Sequence, residues 1–493
     1  MNQNFERVNV RDFGAKGDGI TNDAPAIQAA INSVADIGGV VYLPAGVYRM
    51  CEGVLIPFGV NVEGITTATT GPWQNHLDTA DKKLPSREDI NPKVPAGDGW
   101  INPKLFKGTW VICDHDFGNP QGDPTFRMEG NTSISRIGFV NRSMPPVSEK
   151  AIPCPPCIAH YSTHDLPYTR DGVTVEDISL ANPYYGIALA ADTDLESSHS
   201  DLEGPHKISV SCGRHRIHNI MGAPLYRGIV LKNLLDTVDI HNCQFNYSCY
   251  EPNHVYERSV NATDIYFSRG DGMNMSNILS FGARHALMTT PSFQNNMGGC
   301  SFRLTNVNFE GIEPIALYAP LMYEISNSYF LTTHPMRRGA DIDACAVQIK
   351  YPEKCEHNPF ITFSNCVFQN SCSNGHFIDV DMTAGCNPVF TSCQFWGWRE
   401  DIPMIHLHKR DNEPGSLTIS TSVFIGNRGA HALPSEMPGT LAKADGEGYH
   451  DGELRFVSCR IPESILDQTS LDGIWYDNCV VYNDESQNRR FQS

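Results

Sequence analysis

Two short motifs in the C-terminal third of the chain carry residue types suited to proton transfer. Asp379 and Asp381 lie in HFIDVD (376–381), and His406 and His408 lie in PMIHLH (403–408). Alternate residues of a β-strand share a face, so each motif predicts two polar groups on one side. Carboxylates spaced this way are roughly 6.5–7 Å apart, near the lower end of the inverting range for glycosidic cleavage. In such a pair one carboxyl tends to keep its proton, and the residue types therefore suit general acid–base catalysis.

Polar residues of neighbouring strands extend these motifs into two columns, which hold most of the candidate site residues. From one repeat to the next, the predicted columns are Gln348–Asp379–His406 and Tyr318–Lys350–Asp381–His408. The candidates for proton transfer or for tuning it are Asp379, Asp381, Lys350, His406 and Asp343. The candidates for substrate binding are Gln348, His408, Tyr318, Trp396, Trp398, Arg399 and Glu313. The two tryptophans are interpreted either as exposed sugar platforms or as aromatic plugs of a turn.

Two other interpretations of the columns stay open. The residues could form an ordinary solvated strand face on which Asp, Lys and His pair between strands. The DxD and HxH motifs together could also hold a divalent metal. The acid–base hypothesis needs neither a cofactor nor a metal, and we predict none.

The elements that must position these residues form a repeat. Motifs of a small polar residue, a Cys or branched apolar residue, a free position and usually Phe recur about every 20 to 42 residues. Examples are HNCQF (241–245), TNVNF (305–309), SNCVF (364–368) and TSCQF (391–395). Such a period indicates a solenoid. Its asparagines predict a stacked amide ladder, and its cysteines predict small inward-facing fillers.

Each repeat motif precedes a short strand with two apolar residues at alternate positions. The pairs include Val347 with Ile349, Ile378 with Val380, and Ile405 with Leu407. Apolar alternation predicts that these residues face the core and that the intervening polar residues face out. We predict one parallel strand per coil, and this facing makes the polar columns accessible to solvent.

The N-terminal segment has a different order of predicted elements from the repeats. Its order is a strand, a glycine turn, one amphipathic helix in TNDAPAIQAAINSVADIGG (21–39) and a further strand. A single helix followed only by strands predicts a lid over the open end of a solenoid. We predict three regions: 1–61 as the cap and first coil, 62–170 as a long loop insertion with early coils, and 171–493 as one continuous run of coils.

The stretch VRDFGAKGDGITNDAPAIQAAINSV…GGVVYLPAGVY resembles the N-terminal signature of pectate-lyase-superfamily right-handed parallel β-helices. That group includes polygalacturonase-like glycosidases and phage tailspike depolymerases. The resemblance implies an all-β right-handed parallel β-helix with an N-terminal capping helix, and its tailspike members imply a homotrimer. The Asp-Asp, Gly-His-Gly and Asn-Thr-Asp motifs of polygalacturonases are absent from this sequence. No catalytic residue of that family can therefore be assigned to a position of this chain.

Composition narrows the class of protein. The formal net charge of −19 argues against nucleic-acid binding, and no apolar run is long enough to span a membrane. The first residues lack the basic and apolar pattern of a secretory signal, and 16 cysteines in such a chain indicate thiols. We therefore expect a location in the cytoplasm or on a phage particle released by lysis.

These observations favour a hydrolase that cleaves a polysaccharide or oligosaccharide. A polysaccharide lyase using Lys350 or a histidine as base is the second hypothesis. A glycan-binding phage spike or fibre without catalysis is the third.

Overall fold

The computed structural model describes the chain in segments. They are residues 7–68, 106–142, 150–161, 172–190, 194–195, 211–232, 234–246, 252–268, 270, 272–290, 301–318, 322–333, 344–350, 359–370, 375–382, 387–398, 402–409, 415–425, 440–445, 454–466 and 474–482. Contacts divide the chain into two compact units. Unit 1 comprises Met1–Asn274 and Leu279–Phe281, and unit 2 comprises Met275–Ile278 and Gly282–Ser493. The region boundaries predicted at 61 and 170 stay a prediction.

The described segments of unit 1 consist of short strands and two helices. The helices are α1 (Ala24–Ser33) and α2 (Pro252–Asn261), with a 3-10 turn at Val10–Phe13. The strands are β1 (Arg7–Asn9), β2 (Asp18–Asn22), β3 (Gly39–Tyr42), β4 (Gly46–Met50), β5 (Val54–Ile56), β6 (Val60–Glu63), β7 (Thr109–Cys113), β8 (Phe126–Met128), β9 (Ser133–Ser135), β10 (Gly138–Asn141), β11 (Ile158–Tyr161), β12 (Thr174–Leu180), β13 (Tyr185–Ala190), β14 (Ser211–Cys212), β15 (His215–Gly222), β16 (Arg227–Lys232), β17 (Leu234–Leu235), β18 (Val238–Asn246) and β19 (Thr263–Phe267).

Equivalent strands of unit 1 pair in parallel from coil to coil. One sheet follows the order β5-β8-β11-β13-β16-β19. Its register aligns Ile187 with Ile229, and Ile229 with Ile265. Strands β7 to β11 lie inside the predicted 62–170 insertion and pair with strands on either side of it, for example β7 with β4 and β11 with β13. Early coils are therefore present there, while residues 69–105 lie outside the described segments.

Unit 2 consists of strands with one 3-10 turn at Glu463–Ile465 in its described segments. Strand β20 (Met273–Ala283) contributes residues to both units. The others are β21 (His285–Thr289), β22 (Ser301–Thr305), β23 (Asn308–Gly311), β24 (Ile315–Tyr318), β25 (Met322–Ser326), β26 (Tyr329–Thr332), β27 (Ala344–Lys350), β28 (Phe360–Ser364), β29 (Val367–Asn370), β30 (Gly375–Met382), β31 (Val389–Thr391), β32 (Gln394–Trp396), β33 (Ile405–Lys409), β34 (Leu417–Ser420), β35 (Val423–Ile425), β36 (Ala442–Asp445), β37 (Leu454–Val457), β38 (Arg460–Pro462), β39 (Ile474–Asp477) and β40 (Val480–Tyr482).

Three parallel series of strands run through unit 2. They are β21-β24-β27-β30-β33-β36, β22-β25-β28-β31-β34-β37-β39, and β23-β26-β29-β32-β35-β38-β40. Each full coil thus contributes three strands, and the prediction of one strand per coil was wrong. We call the first series the site sheet, because it carries the predicted polar columns.

A left-handed residue explains the additional strand of each coil. Asn327, Asn365 and Ser392 adopt φ of 51°, 54° and 55°, and equivalent residues of the other motifs do the same. Asparagine tolerates this conformation better than most residues, and one such residue bends the chain between two strands. The predicted amide ladder is present where Asn242 Nδ2 donates to Asn219 Oδ1 at 3.1 Å.

The core of unit 2 is a stack of phenylalanine rings and aliphatic residues. Phe368 stacks on Phe395 at 5.1 Å between ring centroids, and Phe363 stacks on Phe390 at 4.6 Å. The motif cysteines of unit 2 are buried thiols down to the last coil, where Cys479 is partly exposed. Because the same residue types recur at each coil, the stacking of coils aligns them into continuous columns.

Helix α1 packs against the first strand of the unit 1 sheet. Gln28 lies on α1, and its side chain accepts from Leu55 N at 2.7 Å and donates to Leu55 O at 3.1 Å. These bonds satisfy backbone groups of β5, which is the edge strand of this sheet among the described residues. The role of α1 as a lid stays a prediction. The sequence predicts an alternating strand with Val8, Val10 and Phe13, whereas Val10–Phe13 form the 3-10 turn.

A second helix, α2, corrects the expectation of a single helix. Arg258 of α2 is buried and pairs with Asp264 at 2.8 Å, and it also donates to Pro224 O at 2.8 Å. The segment PNHVYERSVN (252–261) is mostly polar, and we do not predict a helix there from the sequence. No helix in the described residues is long and apolar enough to cross a membrane.

Candidate functional site

The site sheet places the predicted polar residues side by side. Asp379 of β30 pairs in register with Gln348 of β27 and His406 of β33, and Lys443 of β36 follows His406. Ile378 and Val380 are fully buried on the opposite side of the strand. The first predicted column is therefore present, and its polar groups face away from the core. Sequence analysis missed Lys443, because AKAD (442–445) lacks the apolar pair that marks the other strands.

A diagonal contact joins the two predicted columns. His408 Nε2 lies 2.8 Å from Asp379 Oδ1, although Asp379 is aligned with His406. The His406 and His408 rings are 4.0 Å apart between centroids. A histidine donating to a carboxylate fixes the orientation of both groups. Asp379 is thus an oriented carboxylate with 17% of its side chain exposed.

Asp381 differs from Asp379 in exposure. It is aligned with His408 and is only 4% exposed, whereas the sequence predicts both carboxylates on the solvent-facing side of the strand. Two carboxyl groups on one strand thus occupy different environments, and a difference of this kind separates the acid from the base in glycosidic cleavage.

Lys350, Gln348 and Tyr318 form the next group on the same face. Tyr318 donates a hydrogen bond to Gln348 Oε1, and Lys350 Nζ lies 5.2 Å from the centre of the Tyr318 ring. Burial, together with the charge of Glu313, raises the pKa of Tyr318. Tyr318 is therefore a neutral hydrogen-bonding group at ordinary pH. These three residues present a hydroxyl, an amide and an ammonium group beside the carboxylates.

A second polar cluster surrounds Glu313. His285 Nε2 lies 2.7 Å from Glu313 Oε2, and Arg284 contacts both carboxylate oxygens at 3.3 and 3.4 Å. Burial alone would raise the pKa of Glu313, but the bonds and charges of His285 and Arg284 outweigh it and lower the pKa to about 2. Glu313 is thus an ionised carboxylate that contacts the Arg284 guanidinium and the His285 ring. Sequence analysis proposed Glu313 and did not identify Arg284 or His285.

Replacing Glu313 by Gln is expected to destabilise the protein in a pH-dependent way. The pKa of about 2 lies below the usual 4.5, so the carboxylate contributes its full stability above pH 4.5 and loses it as pH falls towards 2. E313Q should lower the free energy of unfolding by about 3 kcal/mol at neutral pH. Denaturant titrations of both proteins between pH 7 and pH 2 measure this difference.

Glu310 provides a matched control for that experiment. Burial raises the pKa of Glu310, so its ionisation opposes folding. E310Q should therefore cause no loss of stability at neutral pH that disappears in acid. A pH-independent effect of E313Q would contradict the ion-pair explanation.

His376 joins the site through an irregularity of β30. Phe377 N and Ile378 N both donate to Met404 O, at 2.9 and 3.2 Å, and both side chains are buried. Strict alternation fails at this point. The His376 ring therefore stacks on His406 at 5.2 Å between centroids, where counting by twos would turn it inward. The sequence gives no signal for such a bulge.

The remaining predicted site residues lie outside the site sheet or outside the described residues. Trp396 lies on β32 in another series of strands and is 38% exposed. Trp398 is only 5% exposed, which contradicts its interpretation as an exposed sugar platform and favours a turn plug. Asp343 and Arg399 lie outside the described residues.

Comparisons with known proteins agree with this architecture. Residues 7–102 match the family model of rhamnogalacturonase A/epimerase, pectate lyase-like. Mannuronan C5-epimerase AlgE1 of Azotobacter vinelandii is 34% identical over 123 residues, which are 19% of this chain and 9% of that protein. Alginate lyase 7 of the same organism is 61% identical over 46 residues, 9% of this chain and 5% of that protein. The matched segments thus span under a tenth of these relatives, which are carbohydrate-active enzymes.

A solved structure matches over nearly the whole chain. The DFA-IIIase of Arthrobacter chlorophenolicus A6, without its lid, has a TM-score of 0.50 and 14% identity, covering 97% of this chain and 100% of that one. At this identity the match concerns the fold. The N-terminal segment is thus similar to a pectate lyase-like family, and the chain has the all-β fold of a right-handed parallel β-helix.

Proposed function

We propose that the protein is a glycoside hydrolase that cleaves a polysaccharide or oligosaccharide with Asp379 and Asp381. The observation that carries this proposal is the register of the site sheet, which aligns two carboxylates of unequal burial with histidine and amide groups. Carbohydrate-processing activity in relatives that match the N-terminal segment supports the same class.

The two carboxylates would have different roles. Asp379 lies 2.8 Å from His408, and this contact orients its carboxylate for the role of base. Asp381 is almost fully buried, and we assign it the role of the acid that donates a proton to the leaving oxygen, because the two carboxyl groups lie in different environments. Their spacing of roughly 6.5–7 Å along the strand favours attack by water and inversion at the anomeric carbon.

The neighbouring groups would bind and orient the sugar. Tyr318 and Gln348 are already hydrogen-bonded to each other, so they present a fixed pair to sugar hydroxyls. Lys443 is exposed beside His406 and adds a positive charge at the other end of the column. A fixed polar surface lowers the entropy cost of holding a substrate in a reactive position.

A polysaccharide lyase is the second candidate, and the basic residues of the site favour it. Lys350, Lys443 and the histidines could neutralise a uronate carboxylate, with Lys350 or a histidine removing the proton. Alginate lyase 7, which matches part of the N-terminal segment, also supports this alternative.

Digestion of a panel of neutral and uronate glycans separates the candidates. Hydrolysis predicts new reducing ends without an unsaturated uronate, which elimination would produce and ultraviolet absorbance would detect. Mass analysis of the products in oxygen-18 water should show one labelled oxygen per cleavage. Binding without any product would contradict both enzymes and support a glycan-binding spike or fibre.

The quaternary structure and location are separate proposals. The tailspike resemblance supports a homotrimer, and light scattering of the purified chain measures its mass directly. We also propose that the protein works in the cytoplasm or on a phage particle.

A further inference from the structure

Three donor atoms of the site sheet converge on one point. The ligand atoms of Asp379, His406 and His408 all lie within 4.8 Å of one another, and each side chain is partly buried. They come from two neighbouring strands held in register, so the backbone fixes their relative positions. The sequence suggests a metal set of DxD with HxH, whereas the geometry brings together one aspartate and both histidines.

The chemistry of this donor set selects a class of metal. Two imidazoles and one carboxylate suit Zn²⁺ and related transition metals, whereas Ca²⁺ and Mg²⁺ prefer oxygen ligands throughout. Tetrahedral ligands at about 2.1 Å from Zn²⁺ are about 3.4 Å apart. Asp379 Oδ1 and His408 Nε2 are 2.8 Å apart and the three donors lie within 4.8 Å of one another, so their separations bracket this value.

Two neighbouring residues, His376 and Lys443, lie beside His406. The His376 ring stacks on His406 at 5.2 Å, and its Nδ1 lies 2.7 Å from Pro403 O, which fixes the ring in place. Lys443 is the nearest cation in register with His406, and it is exposed, so its ammonium group can turn into solvent. The three donors can therefore approach a cation without leaving a buried charge opposite it.

We propose that Asp379, His406 and His408 bind one divalent transition-metal ion of the Zn²⁺ class. The three protein ligands leave at least one coordination position for water or a ligand oxygen. The ion takes the place of the hydrogen-bonding proton between His408 Nε2 and Asp379 Oδ1 in the metal-free protein. This inference does not rest on the proposed function, because it concerns binding without substrate.

Titration with Zn²⁺ and Co²⁺ tests this site in the full chain after treatment with a chelator. Calorimetry should show one saturable Zn²⁺ site per chain, and Co²⁺ should give the visible absorption of low-coordinate nitrogen and oxygen ligation. H406A, H408A and D379N should each weaken Zn²⁺ binding at least about tenfold, as loss of a ligand does. Mg²⁺ in excess should not compete.

His241 supplies the matched control. It stacks on His218 at 3.9 Å between ring centroids and belongs to unit 1, so H241Q should leave the affinity unchanged. D379N keeps the shape of the side chain and reports on binding even if a histidine variant fails to fold. The proposal is overturned if no saturable site appears, or if D379N binds Zn²⁺ and Co²⁺ as the wild type does. Neither result affects the glycan digestion experiment.

Discussion

Replacing Asp381 by Asn is expected to lower the turnover number on a cleaved glycan by about 10²–10⁴-fold, the usual contribution of a positioned acid or base. The substitution keeps the shape of a nearly buried side chain and removes its ability to donate a proton. The effect should appear in the turnover number, because the proton moves in the transition state. Steady-state kinetics on the best glycan of the panel measure it.

Two further variants make that result interpretable. D379N should cause a loss of similar size, since the second carboxyl is equally required. E324Q removes an exposed carboxylate that pairs with Arg303 at 3.0 Å on another series of strands of unit 2, and it should retain full activity. Circular dichroism checks that each variant is folded. Full turnover in both D379N and D381N would remove these residues from the mechanism.

Truncating Phe368 to Ala should cost about 3–5 kcal/mol of stability, the range for a large aromatic residue in a packed core. Phe368 is fully buried and stacks on Phe330 at 5.3 Å and on Phe395 at 5.1 Å between centroids. Removing the ring interrupts the column on both sides, and close-packed neighbours can fill the space only in part. The midpoint of denaturant unfolding should fall accordingly.

Phe360 is the control for this experiment. It lies eight residues earlier on β28 and is 52% exposed, so F360A should change stability by no more than about 0.5 kcal/mol. Similar losses for both variants would contradict the account of the ring stack as the core of unit 2.

The sequence predicts the facing of residues well where alternation is strict. Counting by twos turns Ile378 and Val380 inward and aligns Asp379 with Gln348 and His406, as observed. These positions are predictable because each coil repeats the same local pattern. The turn asparagines are likewise recognisable, because a left-handed residue favours few side chains.

Predictions from the sequence fail where pairing between distant segments overrides the local pattern. The bulge at Phe377 and Ile378 depends on Met404 of the next coil, so it brings His376 to the site without a local signal. Arg284 and His285, which contact Glu313, lie on the preceding coil. The depth of Asp381 and Trp398 likewise reflects their surroundings in the folded chain, which spacing in the sequence does not encode.

A crystal structure of the D381N variant with an uncleaved oligosaccharide tests the central claim most directly. The account predicts a sugar ring on the outer face of the site sheet, with its scissile oxygen beside position 381 and a hydroxyl or water near Asp379. An oligosaccharide bound on another series of strands, or on unit 1, would contradict it.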